Sequence, residues 1–174
     1  DTSNIITITQ KAIPAVIKTK YTGSSIVCQP NIVAYALDMP AGSVTGFNYQ
    51  WYMAGSPIAG ATDSVFNANI TGSYAVAVSG GSNCHNFSLY KPATVKSTPV
   101  ANCASLSTST TICAGSFVTL AAPFITNATY TWLKDGVAAG AGSTKSFKAA
   151  GNYSVVVKLN GCSDTSNPTI PVVV

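Results

Sequence analysis

The sequence predicts an all-β chain made of two tandem antiparallel sandwiches, and three observations carry that expectation. The 174 residues hold no Glu and no Arg, and Thr, Ser, Val, Ala and Gly dominate, so strong helix formers are scarce and strand formers abundant. Short alternating apolar runs are separated by turns rich in Gly, Pro, Asn and Ser, with no helical periodicity long enough to compete. The same order of features is also written twice.

Thr111-Ile-Cys-Ala-Gly-Ser116 matches Ile26-Val-Cys-Gln-Pro-Asn31, and Val33, Tyr35 and Leu37 then correspond to Val118, Leu120 and Ala122. Tyr49-Gln-Trp51 and Tyr130-Thr-Trp132 follow, each leading into a turn, at Gly55 and at Asp135-Gly136. Next, Thr71-Gly-Ser-Tyr74-Ala-Val-Ala-Val78 mirrors Ala150-Gly-Asn-Tyr153-Ser-Val-Val-Val157, and each run reaches a cysteine, Cys84 or Cys162. Tyr, Val and Val at every second position put three side chains on one sheet face, the pattern of a half-buried strand.

Asp1-Thr-Ser-Asn4 reappears as Asp164-Thr-Ser-Asn167, and the corresponding point in the first repeat is Asn86. Residues 1 to about 12, where Ile6 and Ile8 alternate with Thr7 and Thr9, therefore read as the last strand of an earlier repeat. This predicts three parts: 1–17 as that strand and a linker, 18–98 as a first module, and 99–174 as a second. The linker near Pro99 to Asn102 is short, so a fairly fixed angle between modules is expected.

About seven strands per period make each module an antiparallel sandwich of immunoglobulin-like type. Trp51 and Trp132 are expected as core aromatics between the sheets. Tyr74 and Tyr153 resemble the corner tyrosine of such folds. The cysteine follows that tyrosine by ten residues or by nine, beyond the strand, so the buried disulfide of antibody domains is absent.

The disulfide candidates are Cys28, Cys84, Cys103, Cys113 and Cys162, and none forms a C-x-x-C pair. Cysteines of this kind beside a single histidine fit disulfides in an oxidising compartment better than zinc ligation. Repetition favours Cys28 with Cys84 and Cys113 with Cys162. Strand geometry favours Cys162 with Cys103, and a staple between modules, such as Cys28 with Cys162, is the third arrangement; all three stay open. The absence of an initiator Met or signal-like start leads to the expectation of a mature or excised extracellular fragment.

The run from Thr111-Ile-Cys-Ala-Gly-Ser through Tyr130-Thr-Trp132, Gly151-Asn-Tyr153-Ser-Val-Val-Val and Gly161-Cys162-Ser163 resembles repeats in large secreted surface proteins of Bacteroidota. These are the immunoglobulin-like or PKD-like repeats of gliding-motility adhesins and other type IX secretion cargo. The match covers nearly the whole chain, although Cys28-Gln-Pro and the stretch near Asp38-Met-Pro-Ala-Gly depart from it and Cys103 has no counterpart in the first repeat. The resemblance implies a stalk or filament repeat at the cell surface. Asp63-Ser64-Val65 also resembles the short O-glycosylation pattern of Bacteroidota, which marks Ser64 as a modification candidate. Four N-x-S/T sequons, at Asn69, Asn86, Asn127 and Asn152, matter only in a eukaryotic secretory host.

No chemistry-bearing constellation stands out. His85 is the only histidine and sits in a turn, while Asp1, Asp38, Asp63, Asp135 and Asp164 are widely spaced and form no D-x-D-x-D calcium loop. No catalytic residue, cofactor or metal site is expected, so the chain reads as a non-catalytic module. The lysines that give a net charge of +4 are scattered, which argues against nucleic acid. No apolar run approaches the roughly 18 residues of a membrane span.

The leading reading is a repeat module of an extracellular adhesin or surface filament. Its partners would be neighbouring repeats, with residues 1–12 able to complete another molecule's sandwich by strand donation. The alternative is a carbohydrate-binding module, with Tyr52, Phe87 or Tyr90 stacking on surface glycans.

Overall fold

The computed structural model describes residues 17–38, 46–80 and 85–174. The expected donor strand at 1–12, the departure from the repeat near 38–42 beyond Asp38 itself, and Cys84 lie outside the described residues. The chain divides into two units, Asp1–Val95 and Lys96–Val174. Each is an immunoglobulin-like sandwich, and no helix occurs among the described residues.

In the first unit the strands are β1 (Thr19–Tyr21), β2 (Ile26–Cys28), β3 (Val33–Leu37), β4 (Asn48–Met53), β5 (Ser56–Pro57), β6 (Val65–Ala68), β7 (Gly72–Ser79), β8 (His85–Phe87) and β9 (Lys91–Lys96). One sheet has the order β1-β3-β6; the other runs β2-β9-β7-β4-β5, with β8 also on β7. Between them lie Val33, Tyr35, Trp51, Ala68, Tyr74, Val76 and Val78. The alternation along β7 is the cause: Tyr74, Val76 and Val78 point inward together.

The second unit holds β10 (Ala104–Ser105), β11 (Val118–Ala121), β12 (Thr129–Lys134), β13 (Val137–Ala141), β14 (Thr144–Phe147), β15 (Gly151–Leu159), β16 (Cys162–Thr165) and β17 (Ile170–Val172). Its sheets are β10-β11-β14 and β13-β12-β15-β16, with β17 on β15. Val118, Leu120, Trp132, Phe147, Tyr153, Val155 and Val157 fill the space between them.

The first unit has nine strands and the second eight among the described residues, because the last strand is broken in both and the first unit carries both β1 and β2 ahead of β3. The break falls at Ser88 between β8 and β9, and at Ser166 between β16 and β17. Ser88 donates its N–H to Val76 O (2.9 Å) and accepts Val76 N–H on Oγ (3.0 Å). Ser166 does the same with Val155, at 2.9 and 3.0 Å. A buried serine hydroxyl thus supplies the acceptor that the interrupted ladder lacks.

Candidate binding surfaces

Trp51 and Trp132 are fully buried, and each indole N–H donates across to a turn carbonyl, Asp63 O at 2.8 Å and Gly142 O at 2.9 Å. Tyr74 and Tyr153 donate their hydroxyls to the carbonyl four residues earlier, Ile70 O at 2.9 Å and Ala149 O at 2.8 Å. Burial raises the pKa of both phenols and of Tyr49. Tyr35 is raised most, first by burial and then by Tyr21 and Tyr74 beside it. These aromatics pack in the cores between the sheets.

Cys28 and Cys162 are disulfide-bonded, whereas Cys103 and Cys113 are free thiols. The expected pairings of Cys162 with Cys113 or with Cys103 are therefore corrected. Thr111 bridges Val173, which places Cys113 near the far end of the β16–β17 edge from Cys162. Eleven residues at about 3.3 Å each separate those ends, far beyond disulfide reach. Cys103 is half-buried and accepts a hydrogen bond from Ser166 Oγ at 3.3 Å. The pairing proposed for Cys84 lies outside the described residues.

The described acids serve local structure. Asp38 pairs with Lys20 at 3.6 Å. Asp164 accepts the N–H groups of Ala101 (2.8 Å) and Thr165 (2.9 Å). Asp135 accepts Asn152 N–H at 2.8 Å and lies 3.0 Å from Lys134 Nζ; the Asn152 hydrogen bond first, then Lys134, holds its carboxyl below the usual range. Asp63 is exposed. No group of three His, Cys, Asp or Glu that could hold a metal occurs among the described residues.

The outer face of the β4–β7–β8 sheet carries an aromatic cluster. Tyr52 packs on Phe87 with ring centroids 5.1 Å apart and planes at 66°, and His85 meets Phe87 at 5.3 Å and 86°. Ala75 and Ala77 lie beneath, opposite Tyr52 and Phe87 in register, and are buried without belonging to the core. The rings meet edge to face, so they do not form the coplanar row that stacks along a sugar chain. Tyr90, also singled out for sugar stacking, is exposed. Ser64, the modification candidate, is exposed in the turn before β6, and its carbonyl accepts Leu37 N–H at 3.2 Å.

A groove of about 300 Å³ opens beside β6, lined by Ile58, Gly60, Asp63, Val65, Phe66 and Asn67 among others. Sequence reasoning missed both this groove and the serine device. The serine signal was present, since Ser88 and Ser166 fall at the same point of the period. The groove had no such signal, because it arises from a short β5 on one side and the edge strand β6 on the other.

No family model matches the chain, and no curated protein matches it. Solved structures do resemble it. Three N-terminal domains of the bacteriophage RB49 Highly Immunogenic Outer Capsid protein align at 13% identity and TM-score 0.41, covering 91% of this chain and 58% of that one. The fibronectin(III)-like modules of Clostridium thermocellum CbhA align at 13% identity and TM-score 0.40, covering 90% and 94%. Murine CEACAM1b aligns at 15% identity and TM-score 0.42, covering 90% and 98%.

Proposed function

We propose that this chain is a non-catalytic repeat module of an extracellular adhesin or surface filament, in which sandwiches in series act as spacers. The observation that carries the reading is the duplication of one structural solution. Both units use the same indole-to-turn bond, the same corner tyrosine and the same serine in the broken last strand. Groups that could do chemistry are instead spent on turns and ladders. Disulfide-bonded Cys28 and Cys162 support an oxidising, extracellular setting. The motif resemblance supports a place among the repeats of Bacteroidota surface proteins, with Ser64 as a glycan acceptor.

The carbohydrate-binding alternative draws on the Tyr52–Phe87–His85 cluster, which the second unit lacks. The ring angles weigh against it, because a flat pyranose needs an open ring face and these rings cover one another.

Pulling the full chain from its two ends by single-molecule force spectroscopy under reducing conditions, so that the bonded Cys28 and Cys162 do not shield the chain from force, tests the spacer reading. Two unfolding steps are expected, each releasing roughly 25 nm, the length of some 80 residues at about 3.3 Å less the folded span. Unfolding in one step, or gradual extension without steps, would overturn the proposal.

A further inference from the structure

Among the described residues no strand pairs with the outer edge of β6 in the first unit, and its counterpart in the second is guarded. Antiparallel ladders join β1 to β3 and β3 to β6. Leu37 N–H donates to Ser64 O, and Thr22 N–H to Ala34 O. These two bonds set the phase of the ladder: Phe66 and Ala68 bond toward β3, and the N–H and C=O groups of Val65 and Asn67 point away from it. No backbone partner meets those four groups among the described residues. Beside them lies the 300 Å³ groove, and Val65 is 48% exposed.

In the second unit β14 holds the same place against β11, in the register Leu120 to Lys145 where the first has Tyr35 to Phe66. There the edge reads Thr144-Lys-Ser146, and the Lys145 stem lies so close to Gly140 of β13 that an added Cβ would approach it to 2.9 Å. A lysine on an edge strand is a standard guard against pairing with another chain. β13 runs five residues where β5 runs two. In the first unit the strand gives way to the Ile58–Ala61 turn, and the groove is what that shortening leaves.

We infer that the β6 edge and its groove accept an extended strand, and that the strand is residues 4–9 of a second copy of this chain. Asn4-Ile5-Ile6-Thr7-Ile8-Thr9 alternates as an added strand requires: Ile6 and Ile8 fall on one side, into the groove, and Thr7 and Thr9 on the other. The tetrapeptide Asp1-Thr-Ser-Asn4, which leads into it, is identical to Asp164–Asn167, which in the second unit lies in a stretch that adds β16 and β17 along β15. Residues 10–18 lie between that segment and β1, and a segment that instead paired with β6 of its own chain would leave the protein monomeric, an outcome that sedimentation detects. Donor and acceptor surfaces differ, so the association is head-to-tail and can propagate. The inference stands independently of the spacer reading, which the force experiment tests on single chains.

Sedimentation of the full chain across a concentration series is the test. The wild type is expected to exceed twice the monomer mass as concentration rises, with amide exchange at Val65 and Asn67 slowing in step. Val65→Lys, which gives the edge a lysine, and Ile8→Asp, which spoils the donor, are each expected to weaken association at least tenfold. Mixed in equal amounts, the two variants are expected to form a one-to-one dimer and nothing larger, because one keeps the donor and the other the acceptor. A wild type that stays monomeric at every concentration overturns the inference. So does a Val65→Lys chain that assembles like the wild type, a mixture that stays monomeric, or unchanged exchange at Val65 and Asn67.

Discussion

The first sandwich has the more aromatic core and a β6 edge without lysine, and the second has more aliphatic residues in its core and a lysine on its edge strand β14, although one plan underlies both. Tyr35 of β3 stands where β11 has Leu120. In the first unit it packs against Tyr21, Trp51 and Tyr74, with ring centroids 5.2 to 5.8 Å away. Its hydroxyl reaches Lys91 O at 3.2 Å, and Tyr21 reaches Pro92 O at 2.6 Å, so phenols tie one sheet to the last strand of the other. The second unit fills the same layer with Leu120 and valines and sets Phe147 on Tyr153 at 4.2 Å. On the outer face the contrast repeats: Tyr52, Phe87 and His85 occupy the register positions of Leu133, Thr165 and Ser163. The comparison separates what the fold requires from what one copy adds. Indole, corner tyrosine and serine occur in both units, whereas the outer aromatic cluster and the groove beside an edge strand without lysine belong to the first.

The largest expected effect tests the shared part. Ser88→Ala and Ser166→Ala each leave a buried N–H, of Val76 or Val155, without its acceptor, at a cost of about 2 kcal/mol. Urea denaturation of each variant should show similar losses, and a neutral result at either site would mean that the broken strand closes by another route.

Alkaline titration sharpens the contrast between the cores. A phenol whose folded pKa lies above its unfolded value of about 10 contributes stability that is complete below that pH. The contribution is lost as pH rises through the folded pKa, because the unfolded chain ionises first. The first unit holds three such tyrosines, Tyr35, Tyr49 and Tyr74, and the second holds Tyr153. Thermal unfolding followed by NMR above pH 10 should therefore show the first unit losing stability sooner. Equal losses would contradict the assignment.

The smallest effect concerns one turn. Ala54 and Asp135 occupy equivalent turn positions with φ of 47° and 50°, a region that costs an L-residue about 1 kcal/mol and that Asp tolerates better than Ala. Asp135 also accepts Asn152 N–H, for which Ala54 offers no side-chain equivalent. Ala54→Asp is expected to stabilise the first unit by about 1 kcal/mol in urea denaturation, and Ala54→Gly to recover only the backbone part. A destabilised Ala54→Asp variant would show that the two turns are not equivalent.

Much of the fold could be read from order and alternation. The Tyr-x-Val-x-Val pattern of β7 and β15 faces the core because side chains alternate along any strand, and that period is a property of the local chain. The site was harder to read. Cys113 matches Cys28 and Cys162 matches Cys84 in the repeat pattern, which favoured Cys113 with Cys162, yet Thr111 pairs beside Val173 and carries Cys113 away from Cys162. Tyr52 and Phe87 were visible as aromatics, but the angle between their rings follows from the registers of β4 and β8 on β7.

By itself the sequence determined that the chain is all-β, that one plan is written twice, and which positions alternate toward a core. Those features depend on neighbours within a few residues. Only the tertiary structure decided which cysteines are bonded, which serine replaces a missing ladder acceptor, and which strand edge borders a groove. Each of these depends on groups far apart in the chain being brought to within a few ångströms, and on the exact length of strands such as β5 and β13, for which local pattern carries no code.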